Sequence, residues 1–305
     1  MAIRVQFVYP NTFGMNMVPP AIAFLSALLK TEGHVVQLFD STYYDLSYGV
    51  NSEGLKAEQL NVVPFDLGDR GIRMKTSDWR DDIRAQINEF RPDLIAISST
   101  EDMWELGLML LSEIQDHIVE KNTPVIAGGV FPTFAPQIAI SHPLINLVCV
   151  GEGENALVDL CKRIDQGEDW SSVTNLWVKK NDGSITKNSI SKPVDINANP
   201  EIDLSLFEEA RLYRPMSGRV YKMFPIETHR GCPFTCTFCN SPDQMKLYDD
   251  KAGGGFFRKK SMDIVYRELK SLKDNYGCEY NYFWADTFLA LNTKEFEQFC
   301  EMYSD

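Results

Sequence analysis

Several features that would define a class of protein at once are missing from this 305-residue sequence. No run of 18 or more apolar residues exists, so we expect no membrane-spanning helix. The opening stretch "MAIRVQFVYPN" reads as a folded strand and lacks the apolar core and cleavage site of a signal peptide, so a cytoplasmic protein is expected. Positive charge is scarce: 30 Lys and Arg oppose 43 Asp and Glu, for a net charge of -13. That balance disfavours nucleic acid or an anionic membrane surface as a partner.

Cysteine is present in an odd number, seven, and its spacing disfavours a disulfide framework in a chain of this size and compartment. Three cysteines lie close together at Cys232, Cys236 and Cys239. The remaining four are scattered along the chain at Cys149, Cys161, Cys278 and Cys300. The clustered three therefore need a separate explanation.

Short apolar runs alternate with amphipathic stretches over the first 165 residues. The runs predict buried parallel strands at 3–9, 35–40, 94–100 and 124–129, and 144–154 predicts a fifth strand followed by a Gly-rich turn. The stretches between and after them predict helices from Pro19 onward and at 78–93, 103–122 and 155–167, whereas 41–76 is polar and predicts a surface excursion. This alternation predicts a doubly wound, Rossmann or flavodoxin-like α/β domain over 1–165.

Small, hydroxylic and glycine residues follow the predicted strands, at the edge where ligands bind in this fold class. These loops are Pro10–Asn11, Ser98–Ser99–Thr100, Gly128–Gly129 and Gly151–Glu152–Gly153. Any one of them is explained equally well as a turn. Four such loops on one predicted edge favour a bound cofactor.

The later half of the chain has a different pattern. Residues 166–217 predict a linker with a hairpin whose turn is Asn181–Asp182–Gly183. From 218 to 305 the pattern restarts with a strand at 220–229, a helix at 262–277, a strand at 279–286 and a further helix at 293–303.

The stretch "THRGCPFTCTFCN" (228–240) places three thiols in eight residues. A structural zinc site needs four ligands, and with no second C-x2-C in the sequence only His229 is near enough to be the fourth. Cys236 and Cys239 also have the spacing of a redox pair, which would leave Cys232 unused. Thiolates also suit iron–sulfur clusters, and three ligands on a cubane cluster leave one iron open for catalysis.

The spacing C-x3-C-x-aromatic-C, with Phe238 at the aromatic position, Arg230–Gly231 before it and Asn240 after it, resembles the motif of the radical S-adenosylmethionine (SAM) superfamily. The resemblance implies that Cys232, Cys236 and Cys239 hold a 4Fe-4S cluster whose free iron chelates SAM. Electron transfer from that cluster would cleave SAM to a 5′-deoxyadenosyl radical. The resemblance also implies a partial (β/α) TIM-like barrel.

Two further positions fit SAM binding by this resemblance. Phe238 would lie beside the adenine, and Asp286, at the end of "FWADTF", would approach the SAM amino group. Each has a plain alternative, a buried loop aromatic for Phe238 and a helix cap for Asp286. Glu227 and His229 end the preceding strand, where a pocket role and an outward-facing histidine are both open.

The first half, through "VYPN", "IAGGVFPTFAPQ" and "VCVGEGE", resembles the cobalamin-binding domain that precedes many radical SAM cores. The D-x-H-x-x-G motif that supplies a histidine to cobalt is absent, and His34 is not assigned to that role. The lower cobalt face would then be open or capped near 99–104, and a domain that binds no cobalamin is the alternative. The residues implied in cobalamin binding are Asn11, Ser98, Ser99, Thr100, Gly128, Gly129, Thr133, Gly151, Glu152 and Gly153.

Together the resemblances imply a cobalamin-dependent radical SAM enzyme, similar to the methyltransferases that modify unactivated carbons. Cyclisation or rearrangement, and a non-catalytic cobalamin-binding or redox module, are the alternatives. Expected partners are a small-molecule, natural-product-like substrate and an electron donor such as flavodoxin or ferredoxin. Residues 218–305 supply only about two of the six barrel units of the family, so we expect an incomplete core that is inactive alone.

Overall fold

The computed structural model describes residues 2–14, 17–46, 59 and 63–304. A seven-stranded sheet in the order β2-β1-β3-β4-β5-β6-β7 dominates the first half. Its first five strands are parallel, and the last two are antiparallel. The strands are β1 (Arg4–Tyr9), β2 (Val35–Asp40), β3 (Leu94–Ser98), β4 (Val125–Gly128), β5 (Leu147–Cys149), β6 (Leu176–Lys179) and β7 (Ile185–Lys187).

Helices cover both faces of this sheet because its central strands carry apolar side chains on both faces. In β1, Val5 and Phe7 pack into one core with the first and last helices, whereas Val8 packs into a second core on the opposite face. The helices are α1 (Pro20–Thr31), α2 (Trp79–Phe90), α3 (Trp104–Glu113), α4 (Gln115–Lys121), α5 (Val130–Phe134), α6 (Pro136–Ser141) and α7 (Glu154–Gln166). The predicted doubly wound α/β fold is confirmed.

The strand order places the reversal of winding between β1 and β3, so the loops after these strands diverge and leave a crevice at the carboxyl edge. The parallel register aligns Ser98 of β3 with Gly128 of β4, and Val8 of β1 with Ile97 of β3. Residues predicted from separate loops therefore share one edge of the sheet.

The helix predicted over 103–122 is wrong as one element, because it divides at Ile114 into α3 and α4. Ile114 leaves helical geometry, with φ -112° and ψ 15°, and its N–H bonds back three residues to Leu111. This bend keeps both Ile114 and Ile118 buried. Of the excursion predicted over 41–76, residues 47–58 and 60–62 lie outside the described residues; a short 3₁₀ helix, Leu67–Arg70, lies in the rest.

The predicted hairpin is confirmed as β6 and β7, and its turn is closed by hydrogen bonds from the Lys180 N–H to the Ser184 carbonyl and from the Gly183 N–H to the Lys180 carbonyl. It also extends the first sheet, since β6 runs antiparallel to β5 with Val148 opposite Trp177. The domain boundaries at 165 and 217 stay predictions.

The second half is built on a three-stranded sheet in the order β12-β9-β8. Its strands are β8 (Tyr213–Met216), β9 (Arg219–Glu227) and β12 (Tyr280–Trp284); β9 and β12 are parallel. A short ribbon pairs β10 (His229–Arg230) with β11 (Arg258–Lys259). The helices are α8 (Ser241–Ala252), α9 (Met262–Tyr276) and α10 (Thr293–Ser304), and two 3₁₀ helices, Leu204–Leu206 and Glu209–Leu212, precede β8.

Helix α8 was not predicted, because the first helix expected after the cysteine cluster was the one at 262–277. Only Ser241 and Tyr248 are buried in it, so it lacks the apolar stripe that marks most helices in a sequence. The sequence does contain two signals of helix ends that could have indicated α8, Pro242 in its first turn and Gly253 just beyond its last residue.

Across the described ranges, none of the helices combines the length and apolar character that crossing a membrane requires.

Candidate cofactor site

A cavity of about 400 Å³ lies at the carboxyl edge of β3, β4 and β5, and we call it the shared cavity because both halves of the chain line it. From the first half come apolar side chains of β1, α1 and α7 and the loops after the strands. From the second half come residues of α8, the β10–β11 ribbon and the end of β12. The polar and glycine residues of its lining are Ser98, Gly128, Gly129, Thr133, Gly151, Glu152, Gly153, Glu154, Arg230, Asn240, Gln244, Tyr248 and Asp286.

Glycine is required at two positions of this lining. Gly129 has φ +99°, and a Cβ there would lie 2.7 Å from the carbonyl oxygen of Ser99. Gly151 has φ +90°, and its Cβ would lie 2.7 Å from the hydroxyl of Tyr248. The loops after β4 and β5 therefore present backbone rather than side chains to the cavity.

Seven of the ten residues predicted to bind cobalamin line the shared cavity, and three do not. Asn11 is buried outside it, where its N–H donates to Ser41 Oγ (2.9 Å) and its side-chain amide donates to Thr42 Oγ1 (2.8 Å). The Ser99 hydroxyl donates to the Thr100 carbonyl (2.8 Å), and the Thr100 hydroxyl donates to Asp102. These three stabilise the loops in this structure, and binding by any of the ten stays a prediction.

Of the two residues predicted to bind SAM, Asp286 lines the shared cavity and Phe238 does not. Asp286 lines the shared cavity beside Trp284, just beyond the end of β12. Phe238 lies outside the cavity with 91% of its surface exposed, so it is not the buried loop aromatic of the alternative.

The loop 232–239, which we call the three-thiol loop, connects the β10 strand to α8. Cys232 is buried, Cys236 and Cys239 are exposed, and all three are free thiols. The backbone N–H of Ser241 donates to Cys239 Sγ at 3.4 Å. Within the described residues no three His, Cys, Asp or Glu side chains converge as a metal site would require, so this structure does not gather the three thiols. Their chemistry, three soft thiolate donors on one loop, fits an iron–sulfur cluster.

An ion-pair network, in which Glu154 and Glu227 are buried and the other members are half-buried, joins the two halves beside the cavity. Arg230 pairs with Glu154 (2.5 Å), Glu227 (2.8 Å) and Glu152 (3.4 Å), and Arg258 pairs with Glu152. Burial lowers the pKa of Arg230, but the charges of Glu154 and Glu227 outweigh it and raise that pKa above its ordinary value. Arg230 therefore stays charged and neutralises carboxylates that would be costly to bury alone.

Sequence reasoning noted Arg230 only as a neighbour of the cysteine motif and gave Glu154 and Tyr248 no role. The "GEGE" stretch placed acidic residues directly after glycines, but only the structure shows that a cation from 76 residues further along the chain meets them.

None of the histidines in the described part of the chain lines the shared cavity. His34 lies at the opposite edge of the sheet, where its Nδ1 accepts from the N–H of Ile3 (3.3 Å). His229 is 1% exposed and lies between Phe257 and Phe288, so the outward-facing alternative is wrong. Burial lowers the pKa of His229, which favours the neutral imidazole.

The fold and this edge site define a doubly wound α/β protein of the kind that binds a cofactor beyond its strands. The B12 binding domain family matches residues 8–161, which is 154 of the 305 residues. The chain therefore belongs to the B12-binding domain family.

Relatives extend the likeness to both halves of the chain. The anaerobic magnesium-protoporphyrin IX monomethyl ester cyclase of Rubrivivax gelatinosus is 26% identical over 98% of this chain and 48% of its own length. An uncharacterized methyltransferase of Pyrococcus horikoshii is 31% identical over 90% of this chain and 50% of its own length. This chain thus spans about half the length of these curated relatives.

Among solved structures, the cobalamin-dependent SAM radical enzyme OxsB, with aqua-cobalamin and SAM bound, matches all of this chain and 37% of its own. The TM-score is 0.69 at 20% sequence identity. The two proteins share a fold, including the β/α units that follow the B12-binding domain.

The lining of the shared cavity has the open backbone and the apolar walls that a cobalamin would need. Gly128 and Gly153 have no atom closer than 3.8 Å to where a Cβ would lie, so the backbone is open to a flat ligand at these points. Apolar walls from Phe7, Leu25 and Leu157 exclude water around them. The described residues of this lining include no imidazole that could bind cobalt.

Proposed function

We propose that the chain forms the cofactor-binding part of a cobalamin-dependent radical SAM enzyme. The observation that carries the proposal is the shared cavity. It is lined by the glycine loops of the B12-binding domain and, from the second half of the chain, by Asn240 and Asp286. Asn240 directly follows Cys239, so the cavity adjoins the three-thiol loop. One cavity between two predicted cofactor sites is what a reaction using both cofactors needs.

The candidate binding residues divide between the cofactors by their place in the structure. The backbone of Gly128–Gly129 and Gly151–Gly153 would hold cobalamin, the three thiols would hold a 4Fe-4S cluster, and Asp286 would receive the SAM amino group. When bound, the cluster supplies the electron that cleaves SAM and cobalamin supplies a methyl carrier, which is the cofactors' own chemistry. The chain positions both and, through its apolar walls, keeps water from the reaction.

Methyl transfer is the reaction we favour, supported by the methyltransferase relative, and the acceptor we propose is an unactivated carbon. Ring closure is the second candidate, supported by the cyclase relative of 26% identity. The mass of the product separates them, because methylation adds one methyl group in place of hydrogen and cyclisation adds none. A small-molecule substrate, a flavodoxin- or ferredoxin-like electron donor and a cytoplasmic location belong to the same proposal.

The test is anaerobic reconstitution of the chain with iron, sulfide and hydroxocobalamin, followed by metal analysis and visible absorption. We expect about four irons and about one cobalt per chain. A variant with Cys232, Cys236 and Cys239 all changed to Ala should lose the iron and keep the cobalt. Cys300→Ala, which removes another exposed thiol, is the matched control and should keep both.

Each other outcome points to one alternative. Cobalt without iron would indicate a cobalamin-binding module without radical chemistry. Iron without cobalt would indicate a radical SAM protein whose first domain binds no cobalamin. Zinc with no iron uptake would contradict the assignment of the three thiols.

A further inference from the structure

Helix α8 runs from the three-thiol loop to the loop Gly151–Gly153, which lines the shared cavity. It begins at Ser241, two residues after Cys239, and Ser241 contacts the Cys239 sulfur through its N–H. Tyr248 lies seven residues further along, about 10 Å down a rigid helix. A displacement of the loop would therefore move Tyr248.

Tyr248 is fixed at its far end by the loop after β5. Its hydroxyl accepts a hydrogen bond from the backbone N–H of Glu152 at 2.8 Å. Its ring is 2% exposed and stacks on Phe256, with centroids 5.6 Å apart and planes 12° from parallel. Few conformations of this side chain satisfy all of these contacts at once.

The Tyr248 hydroxyl packs directly against the backbone of Gly151. The hydroxyl of Tyr248 occupies the space into which any side chain at residue 151 would extend, because a Cβ there would lie 2.7 Å from it. Arg230 and Arg258 also hold the same loop, through their ion pairs with Glu152. Tyr248 is thus the one hydroxyl contact, among the bonds described for Gly151–Gly153, that reaches this loop from α8.

We propose that Tyr248 is a positioning residue that couples the three-thiol loop to the cobalamin-facing wall, so that loading of the cluster tightens the binding of cobalamin. The inference rests on the proposed function, since it needs both cofactors to bind. Ordering the three thiols around a cluster would fix the start of α8, and Tyr248 would then hold Gly151–Gly153 in its binding geometry. Coupling between the sites is reciprocal, so cobalamin would also slow the loss of iron.

The first experiment measures the Kd of hydroxocobalamin for the chain with and without a reconstituted cluster. In wild type we expect cluster loading to lower the Kd about fivefold, the small end of coupling between protein sites. In Tyr248→Phe the ratio should fall to about one, since the ring is kept and only the hydroxyl bond is lost. Tyr266→Phe, an exposed tyrosine on α9, is the matched control and should keep the wild-type ratio. A merely structural role would lower both affinities without changing their ratio.

A second experiment tests the contact itself without any cofactor. Gly151→Ala should lower the melting temperature strongly in wild type, because the new Cβ meets the hydroxyl and the backbone has positive φ. In Tyr248→Phe the same change should cost less, since the nearest remaining ring atom is 3.4 Å away. This non-additivity is the signature of direct contact.

The outcomes separate this inference from the proposed function. Additive effects of Gly151→Ala and Tyr248→Phe, or a Kd ratio unchanged in Tyr248→Phe, would overturn the role of Tyr248 alone. A wild-type ratio of one would do the same. Absence of cobalt and iron uptake in wild type would overturn the proposed function and this inference with it.

Discussion

Individual thiols in this chain differ sharply in environment. Burial raises the pKa of Cys149 to about 12, with the charges of Glu154 and Glu152 adding to the effect, and burial alone does the same for Cys161. Cys236, Cys239 and Cys300 are exposed. Since the thiolate is the reactive form, Cys149 and Cys161 are protected both by burial and by protonation.

Alkylation with iodoacetamide at about pH 8, read by mass spectrometry, should therefore modify the exposed thiols and spare Cys149 and Cys161 until the chain unfolds. Cluster assembly should then protect Cys236 and Cys239 but leave Cys300 reactive. Equal protection of Cys300 would show that reconstitution had merely aggregated or oxidised the protein.

Single residues also set the limit of what the sequence could predict about the site. The strand-end glycines were identified because the carboxyl edge of a parallel sheet is a general binding position. Tyr248 was missed because its role depends on contact with Glu152, 96 residues earlier in the chain. Asn11 lies outside the shared cavity, because a polar residue at a strand end can equally bond to its neighbours, here Ser41 and Thr42; its part in cobalamin binding stays a prediction.

Among the elements, those with strong apolar periodicity were predicted well. The parallel strands and α7 carry continuous or regularly spaced buried residues, and their positions agree with the prediction within a few residues. Helix α8 was missed because only two of its residues are buried, so its sequence lacks an apolar stripe. The division at Ile114 was missed because the apolar pattern of 103–122 continues across it. The membership of β6 and β7 in the first sheet is likewise a long-range property that a hairpin pattern does not contain.

The junction between the β10 strand and α7 depends on Arg230. Changing Arg230→Met would leave the fully buried Glu227 carboxylate and the nearby Glu154 without a cation. We expect the free energy of unfolding to fall by about 3–5 kcal/mol, the usual cost of stranding a buried charge. Urea unfolding followed by circular dichroism measures this change.

Lys270→Met is the control for that substitution. Lys270 pairs with Asp274 at 3.3 Å, but both side chains are more than half exposed. Exposed pairs contribute little, so the change should stay within about 0.5 kcal/mol. A similarly small effect for Arg230→Met would show that the carboxylates find water or other partners.

On the scale of the whole molecule, stability should decrease from the middle of the first sheet outward. β3 lies between β1 and β4 and is buried, whereas β7 and β12 are edge strands with exposed or half-buried residues. Hydrogen exchange read by mass spectrometry should show the slowest amides in β3 and the fastest strand amides in β7 and β12. Equal protection of β7 and β3 would indicate that another surface covers that edge.

The shared cavity also has a consequence for the order of events during synthesis. The lining residues of the first half lie between 7 and 157 in the sequence, and those of the second half lie between 230 and 286. The ribosome must therefore add 70 or more further residues before the second set of lining residues is made. Translation at about 5–20 residues per second gives an interval of several seconds in which the first half can fold before the second set of lining residues is made. A large, flat ligand could enter from that side during this interval without displacing α8. The same ligand arriving later would have to wait for Tyr248 and its neighbours to open, so the chain's cofactor content should depend on when the cofactor is supplied.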